Sequence, residues 1–192
     1  GGAREPHFLA QSGPLRADTE QMNTEALIGK LLRQRGMKLA VAESCTGGLV
    51  SHRITDVPGS STYYEGAIIA YSYAAKEKHL AVQHDTLYSW GAVSEQTALE
   101  MAQGVRRAFE CELGLAVTGI AGPDGGTEDK PVGLVYIALA APEGAWVERH
   151  VWSGNRWENK ASSAEAALDL LRRYLEGELD PGCCRCGTES IS

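Results

Sequence analysis

The hydrophobic positions of the chain change period several times, and each change marks an element. Leu27, Ile28, Leu31 and Leu32 recur at helical spacing, with Thr24 as the expected cap and Gly36 as the stop. Leu39-Ala40-Val41-Ala42 is a short continuous apolar run, read as a buried strand, and it leads straight into Ser44-Cys45-Thr46-Gly47-Gly48. Helical spacing resumes at Leu49, Val50, Arg53 and Ile54, so this strand delivers Ser44 to the start of a helix. Ala67 to Tyr71 reads as a second strand, followed by a short helix that carries Lys76. Ser94 is placed to cap a helix reaching Phe109, with Leu99, Ala102, Val105 and Phe109 on its inner face. Leu115 to Thr118 is a third strand, opening into the glycine-rich stretch from Gly119 to Gly133. Leu134 to Ala140 and Trp146 to Trp152 flank Pro142-Glu143-Gly144, which predicts an antiparallel hairpin. A last helix runs from about Trp157 to Leu175 through Ala164, Leu168 and Leu171.

Strands interleaved with helices predict an α/β fold, a three-layer α/β/α sandwich whose hairpin makes a mostly parallel sheet mixed. The expected organisation is a flexible leader over 1–22, one globular domain over 23–176 and a flexible tail over 177–192. The leader mixes Gly, Pro, Arg, Gln and Asp with no apolar period. The tail holds Cys183, Cys184 and Cys186, but no second Cys or His pair at finger spacing exists to make it a metal site.

Composition narrows the function classes. Of 192 residues, 43% are hydrophobic and 22% charged, ordinary values for a soluble globular domain. A net charge of −7 argues against a nucleic-acid partner, yet leaves room for a small phosphorylated ligand that needs only one or two local donors. No apolar run is long enough to span a membrane, and the N-terminus has no secretory pattern. An odd count of five cysteines, with Cys45 and Cys111 alone inside the domain, fits free thiols in a reducing compartment, hence a cytoplasmic protein.

The chemistry concentrates in a few segments. A hydroxyl at a strand-to-helix turn sits where backbone N–H groups converge and can hold an oxyanion, and Gly47 and Gly48 let a carbonyl approach the main chain. The same turn is also explained by helix capping and tight packing, and on spacing alone that plainer account weighs more. Cys45 is a rival nucleophile, but beside Ser44 its side chain is expected to face the core. The histidines lie in polar surroundings, so a base for Ser44 falls to Lys76, provided burial lowers its pKa toward 7–8; otherwise it is a solvated lysine like Lys78. Tyr71, at the expected strand end, is placed to orient or relay that proton. The loop Gly119-Ile120-Ala121-Gly122-Pro123-Asp124-Gly125-Gly126-Thr127 suits a phosphate, though it matches no established phosphate motif. Arg156 is either an anion clamp or a surface charge. No His/Cys/Asp/Glu group has metal-ligand spacing, so the expected mechanism needs no metal and no cofactor.

Taken together, these segments stand in the order seen in one family. They are Ala42-Glu43-Ser44-Cys45-Thr46-Gly47-Gly48, Ile54-Thr55-Asp56-Val57-Pro58-Gly59-Ser60-Ser61, Ala70-Tyr71-Ser72 with Lys76, Gly91-Ala92-Val93-Ser94-Glu95, Thr118-Gly119-Ile120-Ala121-Gly122-Pro123 and Lys130-Pro131-Val132-Gly133. The chain resembles the CinA C-terminal domain family, whose characterised enzymes are nicotinamide mononucleotide deamidases, over about residues 24 to 176. The resemblance implies an α/β/α fold and hydrolysis of nicotinamide mononucleotide to nicotinate mononucleotide and ammonia, in pyridine nucleotide salvage and NAD metabolism. It places the nucleophile on Ser44, the base on Lys76, an assisting tyrosine on Tyr71 and an active-site arginine on Arg156. Thr46, Gly47 and Gly48 are then expected to hold the oxyanion, and Gly119, Gly122 and Arg156 the ribose and phosphate. A homo-oligomer is a family-level expectation. Two departures stand out: Tyr73 where the family often has Asn, and Asn155 in place of the usual Asp before Arg156, which leaves that arginine's charge partner in question. The N-terminal nucleotide-processing domain of larger members is not among these residues. Two rival readings keep the fold: a catalytically silent nucleotide-sensing or interaction domain, and a serine amidase acting on another small amide.

Overall fold

Why a strand with no exposed position can exist at all is answered by what covers it. In the computed structural model, which describes residues 22–180, β1 (Leu39–Glu43) is buried at every position, with sheet neighbours on both edges and helices on both faces. The expectations for the leader and for Cys183, Cys184 and Cys186 lie outside the described residues.

The sheet has five strands in the order β2 (Tyr64–Ile69), β1, β3 (Leu113–Gly119), β4 (Leu134–Ala141), β5 (Gly144–Val151). β1 pairs in parallel with β2 and β3, and β4 pairs antiparallel with both β3 and β5. Four strands therefore share one direction and β4 alone is reversed. The hairpin closes on Pro142 and Glu143, because Ala141 already pairs with Gly144.

The two faces of the sheet carry different residues, and the helices respond. One face presents Leu39, Val41, Leu113, Leu115, Val117, Ile137 and Leu139 to α1 (Thr24–Arg35), α2 (Leu49–Thr55) and α6 (Arg156–Glu176). The other presents Ala40, Ala42, Ala116, Ala138 and Ala140, which lets α5 (Glu95–Ala108) approach closely over its own stripe of Ala98, Met101, Ala102 and Val105. Ala102 and Val105 of the expected stripe are in place and Phe109 packs beside them, while Leu99 is only half-buried and Ala98 and Met101 take the inward positions. Gly104 completes the fit: a Cβ there would overlap the Leu80 carbonyl at the end of α3 (Tyr73–Leu80). The helix α4 (His84–Trp90) buries only Leu87.

Three sequence expectations shift. The cap of α1 is Asn23, whose side chain accepts from the Ala26 amide, while Thr24 is already helical. The second strand starts three residues and ends two residues earlier than expected, because its register runs from Tyr64 opposite Leu39 to Ile69 opposite Glu43. α4 and a short 3-10 turn at Ser60–Thr62 had no sequence signal. No helix among the described residues is long and apolar enough to cross a membrane.

Candidate active site

The carboxyl ends of β1, β2 and β3 meet at one edge, where loops leave the sheet and α2 and α3 begin. Ser44 is the first residue beyond β1, with its amide still bonded to the Val117 carbonyl at 3.0 Å, so the hydroxyl inherits the rigidity of the sheet. Gly47 (φ 61) and Gly48 (φ 104) then turn the chain into α2 through the left-handed region, which favours glycine.

A carboxylate holds this turn. Glu43, fully buried at the end of β1, accepts from the amides of Gly48 (2.9 Å), Val50 (3.2 Å) and Ser51 (2.9 Å) and from the Ser51 hydroxyl (2.6 Å). It supplies the negative partner that the start of α2 requires, where Gly48 offers no side-chain cap. Glu43 stands in the sequence motif but its role was not foreseen.

Lys76 occupies a core position. Only Lys76 and Leu80 of α3 are buried, one turn apart, so the lysine lies on the inward stripe of a helix capped by Ser72. Its Nζ donates to Ser44 Oγ at 2.9 Å and to the Ala70 carbonyl at 2.7 Å. The side chain is 1% exposed, and burial lowers its pKa to about 8. Neither a salt bridge nor a carboxylate hydrogen bond involves it among the described residues. The expected Ser44–Lys76 pair is thus brought together, and the reading of Lys76 as a solvated surface charge is set aside.

The expected oxyanion donors need revision. The Gly48 amide is committed to Glu43 and the Gly47 amide to the Ser44 carbonyl at 3.1 Å, so both are occupied. Among the described residues, the amides in this turn that make no main-chain hydrogen bond are those of Cys45 and Thr46. Thr46 is fully buried, main chain included, and its hydroxyl is unpartnered, so neither its side chain nor its amide reaches the site surface, and the expected Thr46 contact with a ligand is not formed here. Cys45 is 5% exposed in the apolar core, and burial pushes its thiol up to about 11, which leaves it protonated and unreactive at neutral pH.

Tyr71 is the clearest correction. After Ala70 the chain leaves the sheet, and Tyr71 projects outward, 62% exposed. Its hydroxyl accepts from Arg156 Nη2 at 3.0 Å, and no hydrogen bond joins it to Lys76. Arg156, the first residue of α6, also donates through Nη1 to the Gly122 carbonyl at 2.6 Å. Gly122, Arg156 and Tyr71 form a bridge across the edge, which places Tyr71 beside Arg156 and away from the Ser44–Lys76 contact. Gly119 belongs to neither: it pairs with Val135, and a Cβ there would lie 2.6 Å from Val135 Cγ2. Its role is to admit β4, not to cradle a ligand. Beside the bridge opens a cleft of about 570 Å³, lined by Ala121, Pro123, Val132, Arg156 and Trp157 among others.

Both departures from the family pattern find a structural use. Asn155 caps α6 in a reciprocal capping box with Glu158, as an aspartate would, and leaves Arg156 with neutral partners. Tyr73 turns its hydroxyl to the Ala92 amide at 3.2 Å. The Gly91–Glu95 and Lys130–Gly133 motifs brace one another, since Lys130 Nζ donates to the carbonyls of Trp90 and Val93. Among the described residues no three His, Cys, Asp or Glu side chains gather where a metal ion could be held.

Comparison with known proteins adds the following. The profile of the CinA C-terminal domain matches residues 21–175. The chain is 51% identical over 160 residues, 83% of its length, to a protein of Caldanaerobacter subterraneus subsp. tengcongensis that carries the name of a competence-damage inducible protein. That match covers 38% of the relative, so the chain spans under two fifths of the length of such curated relatives. Among solved structures, the CinA superfamily protein KP700603 from Klebsiella pneumoniae superposes with a TM-score of 0.76 at 29% identity, covering 81% of this chain and 99% of that one. The competence/damage inducible protein CihA from Agrobacterium tumefaciens superposes with a TM-score of 0.72 at 38% identity, covering 80% and 95%.

Proposed function

The chain belongs to the CinA C-terminal domain family, and from that membership and the geometry of its site we propose that it is a nicotinamide-nucleotide amidohydrolase. The reaction is hydrolysis of the carboxamide of nicotinamide mononucleotide to nicotinate mononucleotide and ammonia, a step in cytoplasmic pyridine nucleotide salvage. The observation that carries this reading is the 2.9 Å contact between Ser44 Oγ and the buried Lys76 amine.

A serine hydroxyl needs a base near neutrality, and a lysine in water is protonated almost without exception. Burial changes this: with a pKa of about 8, Lys76 carries a free lone pair in roughly a tenth of molecules at pH 7. In that form the amine accepts the Ser44 proton while still donating to the Ala70 carbonyl. Ser44 Oγ attacks the carboxamide carbon, and the oxyanion is held by the amide of Cys45, the residue that follows the nucleophile. The Lys76 ammonium returns its proton to the departing nitrogen, which leaves as ammonia. Water, deprotonated by Lys76, then cleaves the nicotinoyl ester on Ser44 and gives the carboxylate. Arg156 and Tyr71 form the wall against which the nucleotide lies.

Ammonia release from nicotinamide mononucleotide tests this directly. Because the base works only when neutral, kcat/KM is expected to rise with pH, reach half its maximum near pH 8 and level off above it. Ser44→Ala is expected to lower kcat by about 10⁴-fold or more. Undiminished release in that variant, or a rate flat from pH 6 to 10, removes the mechanism. Nucleotide binding without ammonia release by the parent protein favours a silent sensing domain, and release from a different amide alone favours another amidase.

A further inference from the structure

A phosphate on a substrate is commonly held at the start of a helix, by free amides and the helix dipole. Here the two helix starts that flank the nucleophile turn are already taken. Glu43 fills that of α2 with its own carboxylate, and α6 is capped by Asn155 and carries the Glu158 carboxylate in its first turn. An anion arriving at either would meet a negative charge. A phosphate at this edge therefore depends on side-chain cations.

Two cations lie one turn apart on the same side of α6: Arg156 and Lys160. Arg156 has committed two of its donors to Gly122 and Tyr71. Lys160 is half-buried and, among the described residues, makes no hydrogen bond or salt bridge. Lys38, Arg53, Arg172 and Arg173, by contrast, each have a carboxylate partner. Lys160 nonetheless points at the site: its Nζ lies 3.7 Å from where a Cβ of Gly47 would stand. Its charge also reaches the buried Cys45 thiol. The absent Cβ of Gly47 leaves the ammonium open to the turn.

We propose that Lys160 is the principal partner of the phosphate monoester of the substrate, with Arg156 beside it. It thereby sets the preference for a mononucleotide over the dephosphorylated nucleoside. This assignment rests on the amidohydrolase reading for its substrate, but its contact with phosphate is independent of turnover.

The test compares nicotinamide mononucleotide with nicotinamide riboside, using the parent protein, Lys160→Met and Lys160→Arg. In turnover, Lys160→Met is expected to raise KM for the mononucleotide about 10- to 100-fold with kcat within about threefold, and to leave the riboside unchanged. Lys160→Arg is expected to restore most of the loss. The same ligands are titrated calorimetrically against Ser44→Ala and against Ser44→Ala/Lys160→Met, where the mononucleotide alone is expected to weaken. Equal losses for both ligands, a fall in kcat alone, no loss, or parent binding that ignores the phosphate overturns the assignment. Phosphate-dependent binding lost in Lys160→Met, without ammonia release by the parent, instead overturns the amidohydrolase reading and leaves Lys160 in its role.

Discussion

Replacing Lys76 by methionine is expected to yield a protein that melts at a higher temperature than the parent and has lost nearly all turnover. The two effects have one cause. Burial lowers the Lys76 pKa from 10.5 to about 8, a shift worth roughly 3 kcal/mol against folding whenever the amine is protonated in both states. Methionine has similar length, fills the same inward position of α3 and removes that penalty. It also removes the bonds to Ser44 Oγ and the Ala70 carbonyl, which returns about 1–2 kcal/mol. The net gain near pH 7 is about 1–2 kcal/mol, or about 2–6 °C in Tm. The pH dependence identifies the origin. Because the folded pKa lies below the unfolded one, the unfolded parent binds more protons between about pH 8 and 10.5. The parent therefore gains stability as pH rises through that window, and the advantage of the variant shrinks there. With the base gone, kcat is expected to fall about 10²- to 10⁴-fold. A variant that melts lower than the parent at pH 7, or one that keeps its rate, contradicts this account of the buried amine.

The second large effect is expected at Glu43, which touches no substrate. Its carboxylate satisfies three amides and one hydroxyl in a place water does not reach, so Glu43→Ala strands several buried donors at once. The expected cost is about 3–5 kcal/mol. Glu43→Gln keeps the shape but turns an NH₂ toward backbone donors, and is expected to cost about 2–3 kcal/mol while the domain still folds. In that variant the Ser44–Gly48 turn loses its anchor, so kcat is expected to drop about 10- to 100-fold with KM changed by less than about threefold. Urea denaturation followed by steady-state kinetics separates the two. Parent-like kcat in Glu43→Gln would show that the turn holds its shape without the carboxylate.

Which parts of this site could be read in advance follows from how local each signal is. Ser94 was legible as a cap because a cap and its helix are adjacent in the chain. The Leu39–Ala42 run was legible because a strand covered on both sides reads as an unbroken apolar stretch up to Glu43. Lys76 and Ser44 are 32 residues apart, and only the pattern of several motifs together placed them in one site. Glu43 was overlooked because a carboxylate in isolation reads as solvated, and its partners exist only once the turn has closed on itself. Lys160 sits in the polar run Glu158-Asn159-Lys160, where nothing distinguishes it until α6 is docked. Tyr71 and Gly119 were misjudged for the same reason. Whether a tyrosine at a strand end faces inward depends on where the strand stops, and a glycine in a loop-like sequence turned out to be the last rung of β3 beside β4.

Because β1 is bonded on both edges and roofed on both faces, the Ser44 hydroxyl hangs from the part of the protein expected to open last. In heavy water, the backbone hydrogens of Val41 and Ala42 are expected to persist until the whole domain unfolds, while those along the outer margin of β2 are replaced early. On the proposed mechanism, local breathing around Tyr71 and Arg156 then admits and releases a ligand without disturbing the Ser44 hydroxyl.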